Sequence, residues 1–111
     1  MRMLVGAVWL TISSLSLAQQ APMLNQPLLR EAMEFLVKNP SSAKFDEVTY
    51  KRGREPNEWT MCGRVSVKNS YGSYADFERF VGMVIIEEMR PHYLVHSVGG
   101  LSDKLCQLEG L

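Results

Sequence analysis

Charge of one sign is what this sequence lacks: 12 Lys and Arg stand against 12 Asp and Glu. Proteins that bind nucleic acid carry a basic excess to neutralise phosphates, so a nucleic-acid partner is excluded as an expectation. Cysteine is scarce too. The two present, Cys62 and Cys106, form no Cys-x-x-Cys motif, the usual spacing of a redox pair or of half a zinc cluster. No Gly-x-Ser-x-Gly, His-Glu-x-x-His, phosphate loop or dinucleotide fingerprint occurs. The apolar run from Leu4 to Leu17 is interrupted by Thr11, Ser13, Ser14 and Ser16. It falls short of the roughly 18–20 apolar residues that a bilayer span demands. No internal repeat or low-complexity segment is found.

What that apolar run does fit is a secretory signal. Arg2 supplies a positive start, Leu4–Leu17 a short apolar centre, and Ser16-Leu17-Ala18 a small-x-small cleavage site. The expectation is a signal peptide over residues 1–18 and a mature chain over 19–111, long enough for one domain and too short for two cores. No cysteine follows the apolar run where a lipoprotein would be acylated, so no stable membrane anchor is expected after cleavage. Loss of Arg2 leaves the mature chain with one acidic group in excess. The expected location is periplasmic or secreted.

An exported chain meets an oxidising compartment, where an even number of thiols pairs. One bridge between Cys62 and Cys106 is expected. By chain entropy, closing a loop of that length stabilises the fold by roughly 4 kcal/mol, less any strain.

The spacing predicts a helix from Gln26-Pro27 to Asn39-Pro40, because Leu29, Ala32, Met33 and Leu36 recur at helical intervals, with Leu28 and Phe35 widening the stripe. Four strands follow: about Phe45–Arg52, Trp59–Lys68, Phe77–Glu87 and His92–Ser97. On the second, Trp59, Met61, Val65 and Val67 alternate with Thr60, Cys62, Arg64 and Ser66, so Cys62 points away from the apolar face. Either the sheet is covered on both sides, or the C-terminal segment crosses an edge to reach Cys62. The run Phe80–Ile86 reads as a central strand buried on both faces. After Gly99-Gly100, Leu101, Leu105 and Leu108 fall at helical spacing beside Cys106. The fold class expected is α+β: an N-terminal helix packed on a three- or four-stranded antiparallel sheet, a short C-terminal helix and one disulfide. The connections are too short for parallel crossovers.

Several patterns mimic chemistry without its context. Ser41-Ser42-Ala43-Lys44 matches Ser-x-x-Lys, but it follows a proline in a turn and lacks the partner motifs of penicillin-recognising enzymes. His92 and His96 are four apart on an expected strand with no evident third ligand, so no metal site and no cofactor is assigned. The carboxylates Asp46-Glu47, Asp76/Glu78 and Glu87-Glu88 sit at strand ends and turns, where charges are solvated. No catalytic residue is assigned. Lys51-Arg52-Gly53-Arg54 is a basic hairpin turn diluted by Glu55 and Glu58.

The aromatic and glycine-rich segment Tyr71, Gly72, Tyr74, Phe77 and Phe80, entered through Lys68-Asn69, is the less ordinary feature. Tyrosines about a glycine either pack the end of a sheet or form a recognition surface, being large, stiff and half polar. Lys68, Asn69, Tyr71 and Tyr74 are the binding residues expected here.

These residues carry a resemblance: Cys62-Gly63-x-Val65-x-x-Lys68-Asn69-x-x-Gly72-x-Tyr74-x-x-Phe77-x-x-Phe80, preceded by Asn39-Pro40-x-Ser42-Ala43-Lys44-Phe45 and followed by a late Cys106. The pattern, spanning roughly Leu28 to Cys106, resembles a family of small uncharacterised exported proteins of Gram-negative bacteria and their phages or mobile elements. The resemblance implies the domain boundaries and the cysteine pair, and no catalytic residue. Similar sequences often carry aspartate at the position of Asn39. Small, rigid, disulfide-closed exported domains suit a non-enzymatic role, binding another cell-envelope protein as inhibitor, immunity or exclusion factor, or accessory subunit. The alternatives are a small envelope enzyme acting on peptidoglycan or glycan, and a metal or ligand carrier.

Overall fold

The computed structural model describes residues 21–111; the expected signal segment and its cleavage site lie outside the described residues. The order is α1 (Gln26–Ala32), a 3-10 turn (Pro40–Ser42), β1 (Lys44–Arg52), β2 (Glu58–Ser66), β3 (Glu78–Glu87), β4 (Arg90–Val98) and α2 (Ser102–Leu108). The strands form one antiparallel sheet in the order β1-β2-β3-β4, the expected α+β architecture. Short connections make each strand pair with its sequence neighbour.

Register follows the alternation. Trp59 lies opposite Val84, Gly63 opposite Phe80 and Tyr50 opposite Met61, and these positions share the face carrying the main core. Leu29 of α1 and Met33, which caps its end, complete that core with Ala43, Met61, Phe80 and Val84, all essentially without solvent contact. Each of the larger of these side chains contributes about 1.5–3 kcal/mol by leaving water. Gly63 is a packing requirement, since a Cβ there would come within 2.7 Å of the Phe80 ring.

The N-terminal helix is shorter than its apolar spacing predicts. Asn25 is the cap, its Oδ1 accepting from Leu28 N at 3.1 Å, which moves Pro27 one place into the first turn. The helix stops at Ala32, and the Met33 carbonyl accepts from both Leu36 N and Val37 N. Ala43 fills the core beside it, and Arg30 Nε donates to the Ala43 carbonyl at 2.9 Å. The returning chain thus takes the space another helical turn would need. Phe35 and Leu36, read as part of the buried stripe, are exposed.

The second face of the sheet receives α2. Cys62 and Val81 face each other across β2 and β3, with Ser97 opposite Val81 on β4. Ser102 Oγ meets Ser97 Oγ at 2.5 Å, and Cys106 bonds to Cys62, so α2 runs along this row across the strands. The sheet is therefore covered on both sides at Cys62. The bridge has a Cα–Cα distance of 6.0 Å and a sequence separation of 44, and no cysteine is free.

That cover is partial. Val81 is buried beneath α2, but Met83 and Ile85 on the same face of β3 are only half-buried. The expectation of burial on both faces holds at one end of the strand and fails at the other, because a helix of seven residues spans one row of the sheet. The apolar stripe of α2 is also reversed: Ser102 and Cys106 point inward, while Leu101, Leu105 and Leu108 are exposed. The disulfide and the serine contact determine which side of the helix faces the sheet.

Candidate functional site

The segment after β2 folds back on itself as a tight hairpin. Asn69 organises it: its N–H donates to the Ser73 carbonyl at 2.7 Å, and its carbonyl accepts from Gly72 N at 3.0 Å. Its side-chain Oδ1 accepts from Tyr71 N at 2.9 Å and Ser73 N at 3.1 Å. Asparagine favours such positions because its short amide can mimic a backbone turn. Gly72 takes φ +83°, the left-handed conformation that glycine adopts without a Cβ penalty. Lys68 and Tyr74 pair as an antiparallel bridge at the base, and Ala75 N donates to the Val67 carbonyl.

The base is tied to the 3-10 turn. Tyr74 Oη donates to the Ser42 carbonyl at 2.9 Å, and the Ser42 hydroxyl accepts from Lys68 N at 2.8 Å while donating to the Asn39 carbonyl at 2.7 Å. Two distant segments thereby hold one another, Ser42 and Tyr74 being separated by 32 positions in sequence. Pro40 and Asn39 therefore serve the hairpin's support and not the end of a long helix.

Charge gathers about this support. The Lys44 ammonium lies 3.9 Å from the centroid of the Tyr74 ring, and that of Lys68 lies 5.7 Å from the same centroid. Among the described residues, neither makes an ion pair with a carboxylate. Tyr71 stands at the tip with 92% of its surface exposed. The result is a small surface with an exposed phenol at the tip of the hairpin and, at its base, two cations beside a second phenol ring.

The four expected residues thus play different parts. Lys68 and Tyr74 come together at the base of the hairpin and Tyr71 stands exposed at its tip; Asn69 builds the turn, with its Oδ1 already accepting two backbone bonds. Lys44 and Ser42 belong to the same surface and were missed. Their approach depends on β1 lying beside β2, which no local motif announces. Phe77, at the edge of the cluster, stacks under Arg64 at 4.9 Å, and Phe80 is wholly in the core.

The patterns that mimic chemistry resolve into structure. Lys44 of the Ser-x-x-Lys segment lies over the Tyr74 ring, while Ser41, the serine at that spacing, is exposed at the groove beside α1 and the neighbouring Ser42 hydroxyl bonds backbone groups. Arg64 forks onto Asp46 at 2.9 and 2.8 Å and reaches Glu47 at 3.5 Å. The hydrogen bonds from that guanidinium hold the Asp46 carboxyl below its ordinary range. His92 lies 3.8 Å from Glu87, and His96 falls in a register shift of β4, where regular alternation with His92 is broken. Among the described residues no group of three or more His, Cys, Asp and Glu is placed to hold a metal ion. An open groove of about 570 Å³ lies between α1 and the 3-10 turn, lined by Pro27, Arg30, Glu31, Glu34, Pro40 and Ser41.

No family model, curated protein or solved structure matches this chain. The reading of function therefore rests on the residues themselves.

Proposed function

We propose that this chain is a non-enzymatic exported protein that binds another cell-envelope protein, acting as an inhibitor, an immunity or exclusion factor, or an accessory subunit. The observation that carries the reading is the mounting of Tyr71. A large aromatic side chain exposed to water on a turn held by four hydrogen bonds loses little conformational freedom when it is covered. Rigid tyrosines of this kind are favoured anchors in protein interfaces. Lys44 and Lys68 at the base of the same hairpin, beside Tyr74, give the surface a positive character, which favours an acidic patch on the partner.

The test is capture from the envelope. Tagged protein, exported and crosslinked in its host, is compared with Tyr71→Ala and with a Lys44→Glu/Lys68→Glu variant. The reading expects one envelope protein that wild type retains and both variants lose. Equal capture by all three overturns it. Tyr74 is unsuited as the probe, because its hydroxyl supports the hairpin through Ser42.

A further inference from the structure

Lys44 and Lys68 keep their charge unneutralised because the nearest carboxylates are held elsewhere. Lys44 and Asp46 are two apart on β1, before its register shift, and lie opposite Ser66 and Arg64, so the four share one face of the sheet. A lysine and an aspartate so placed attract one another. Arg64 prevents the pairing: its guanidinium forks onto both oxygens of Asp46, reaches Glu47 at 3.5 Å and lies over the Phe77 ring. Such a fork holds a carboxylate more firmly than a single ammonium does. Of the other acids along the hairpin, Glu78 lies beside Gly99, and Asp76 is exposed and makes no ion pair with either lysine.

The Tyr74 ring fixes where the two charges stand. Its hydroxyl is tied to the Ser42 carbonyl and its backbone pairs with Lys68, so the ring is held at both ends. The two ammoniums, at 3.9 and 5.7 Å from its centroid, stand within about 10 Å of each other. Both lysines are exposed. In an extended peptide, side chains two apart point to the same side at an interval of about 6.5–7 Å, while neighbours point to opposite sides. Carboxylates at i and i+2 therefore match the spacing of this pair of cations.

We infer, on the reading of the hairpin as the binding surface, that the partner presents an extended acidic segment to it, with carboxylates at i and i+2 bridging Lys44 and Lys68 across Tyr74. Arg64 is then a positioning residue: by holding Asp46 it keeps Lys44 available. Exposed ion pairs are individually weak and screened by salt, so the segment by itself binds with a Kd on the order of 1 mM.

The test titrates a capped Ser-Gly-Glu-Thr-Glu-Gly-Ser peptide into the isotopically labelled, disulfide-bonded full chain, followed by NMR at the backbone amides of Lys68 and Tyr74. Saturable shifts are expected there, lost in about 0.5 M salt. Binding should weaken at least fivefold when both glutamates of the peptide are glutamine, and likewise for Lys44→Gln or Lys68→Gln. Arg64→Gln should weaken it at least threefold by releasing Asp46 to Lys44, and adding Asp46→Asn should restore it. A merely structural role for Arg64 would leave the double variant as weak as the single one, and that result overturns the positioning role. Equal binding of the glutamine peptide, or lysine variants that bind as wild type does, overturns the acidic segment. A glutamate peptide that does not bind, where Tyr71-dependent capture of an envelope protein succeeds, overturns this inference alone; where capture fails as well, the binding role falls with it.

Discussion

Gly63 and Phe80 lie directly opposite each other on β2 and β3, and the Phe80 ring occupies the room a side chain at position 63 would claim. The ring is wholly buried and meets Phe45 edge to face at 5.9 Å. A methyl group at position 63 would also press on Val48. Gly63→Ala is expected to destabilise the fold by about 1–3 kcal/mol through overpacking. Phe80→Leu should relieve part of that, so chemical denaturation of the double variant will show a loss smaller than the sum of the two single losses.

The bridge between Cys62 and Cys106 is the one covalent tie that holds α2 across the sheet; beside it stand the Ser97–Ser102 contact, Arg79 donating to the Leu111 carbonyl at 3.1 Å, and the ion pairs Arg79–Asp103 and Lys51–Glu109. Replacing both cysteines by alanine should lower stability by roughly 3–4 kcal/mol, the chain-entropy value for a loop of 44 residues. Limited proteolysis should then cut first at Lys104, in the released helix, while β2 and β3 stay protected. Simultaneous cleavage throughout the chain would show instead that the whole domain depends on the bridge.

Tyr50 buries its hydroxyl without a hydrogen-bond partner among the described residues, although Tyr93 is near enough to act on it. Burial first, and then Tyr93, push its ionisation well above that of an ordinary tyrosine. Tyr50→Phe removes an unsatisfied polar atom and should leave stability unchanged or raise it by up to about 1 kcal/mol. The pH dependence has a definite sign. With the folded value raised, the contribution of Tyr50 is complete below the unfolded value of about 10 and is lost as pH rises through and beyond it. Thermal melts between pH 8 and 11 should fall more gently for Tyr50→Phe than for wild type.

The β3–β4 hairpin turns through Glu88 and Met89, both at positive φ, 53° and 64°. Asn-Gly is the dipeptide that suits a two-residue turn with both centres left-handed. Glu88→Asn/Met89→Gly is expected to stabilise by about 1 kcal/mol, seen as a rise in Tm of roughly 4–8 °C. An unchanged or lower Tm would mean that the wild-type turn carries no such strain.

Strand order and pairing were legible because each β residue's alternation is local and the turns are short. Trp59, Met61 and Val65 declared their face, and Cys62 the opposite one. What escaped depends on contacts made elsewhere in the chain. The apolar spacing of Leu101, Leu105 and Leu108 resembles a buried stripe, but a disulfide and a serine pair orient α2 more strongly than three leucines on seven residues can. Leu36 and Phe35 fit a longer helix until Ala43 takes their place in the core. Lys44 joins Lys68 at Tyr74 through the pairing of β1 with β2, a relation no short motif encodes. Asn69 stood out in the sequence as a binding residue; in the fold its amide oxygen makes the turn.

The most direct test of the proposed binding role puts a photoreactive phenylalanine analogue at position 71 of the full chain expressed in its host, with the same analogue at position 35 as control. Both native side chains are 92% exposed, so both report equally on chance encounters. The account predicts that irradiation in the living cell yields one discrete adduct with an envelope protein from position 71 and none from position 35. No adduct at position 71, or the same adducts from both positions, would contradict it.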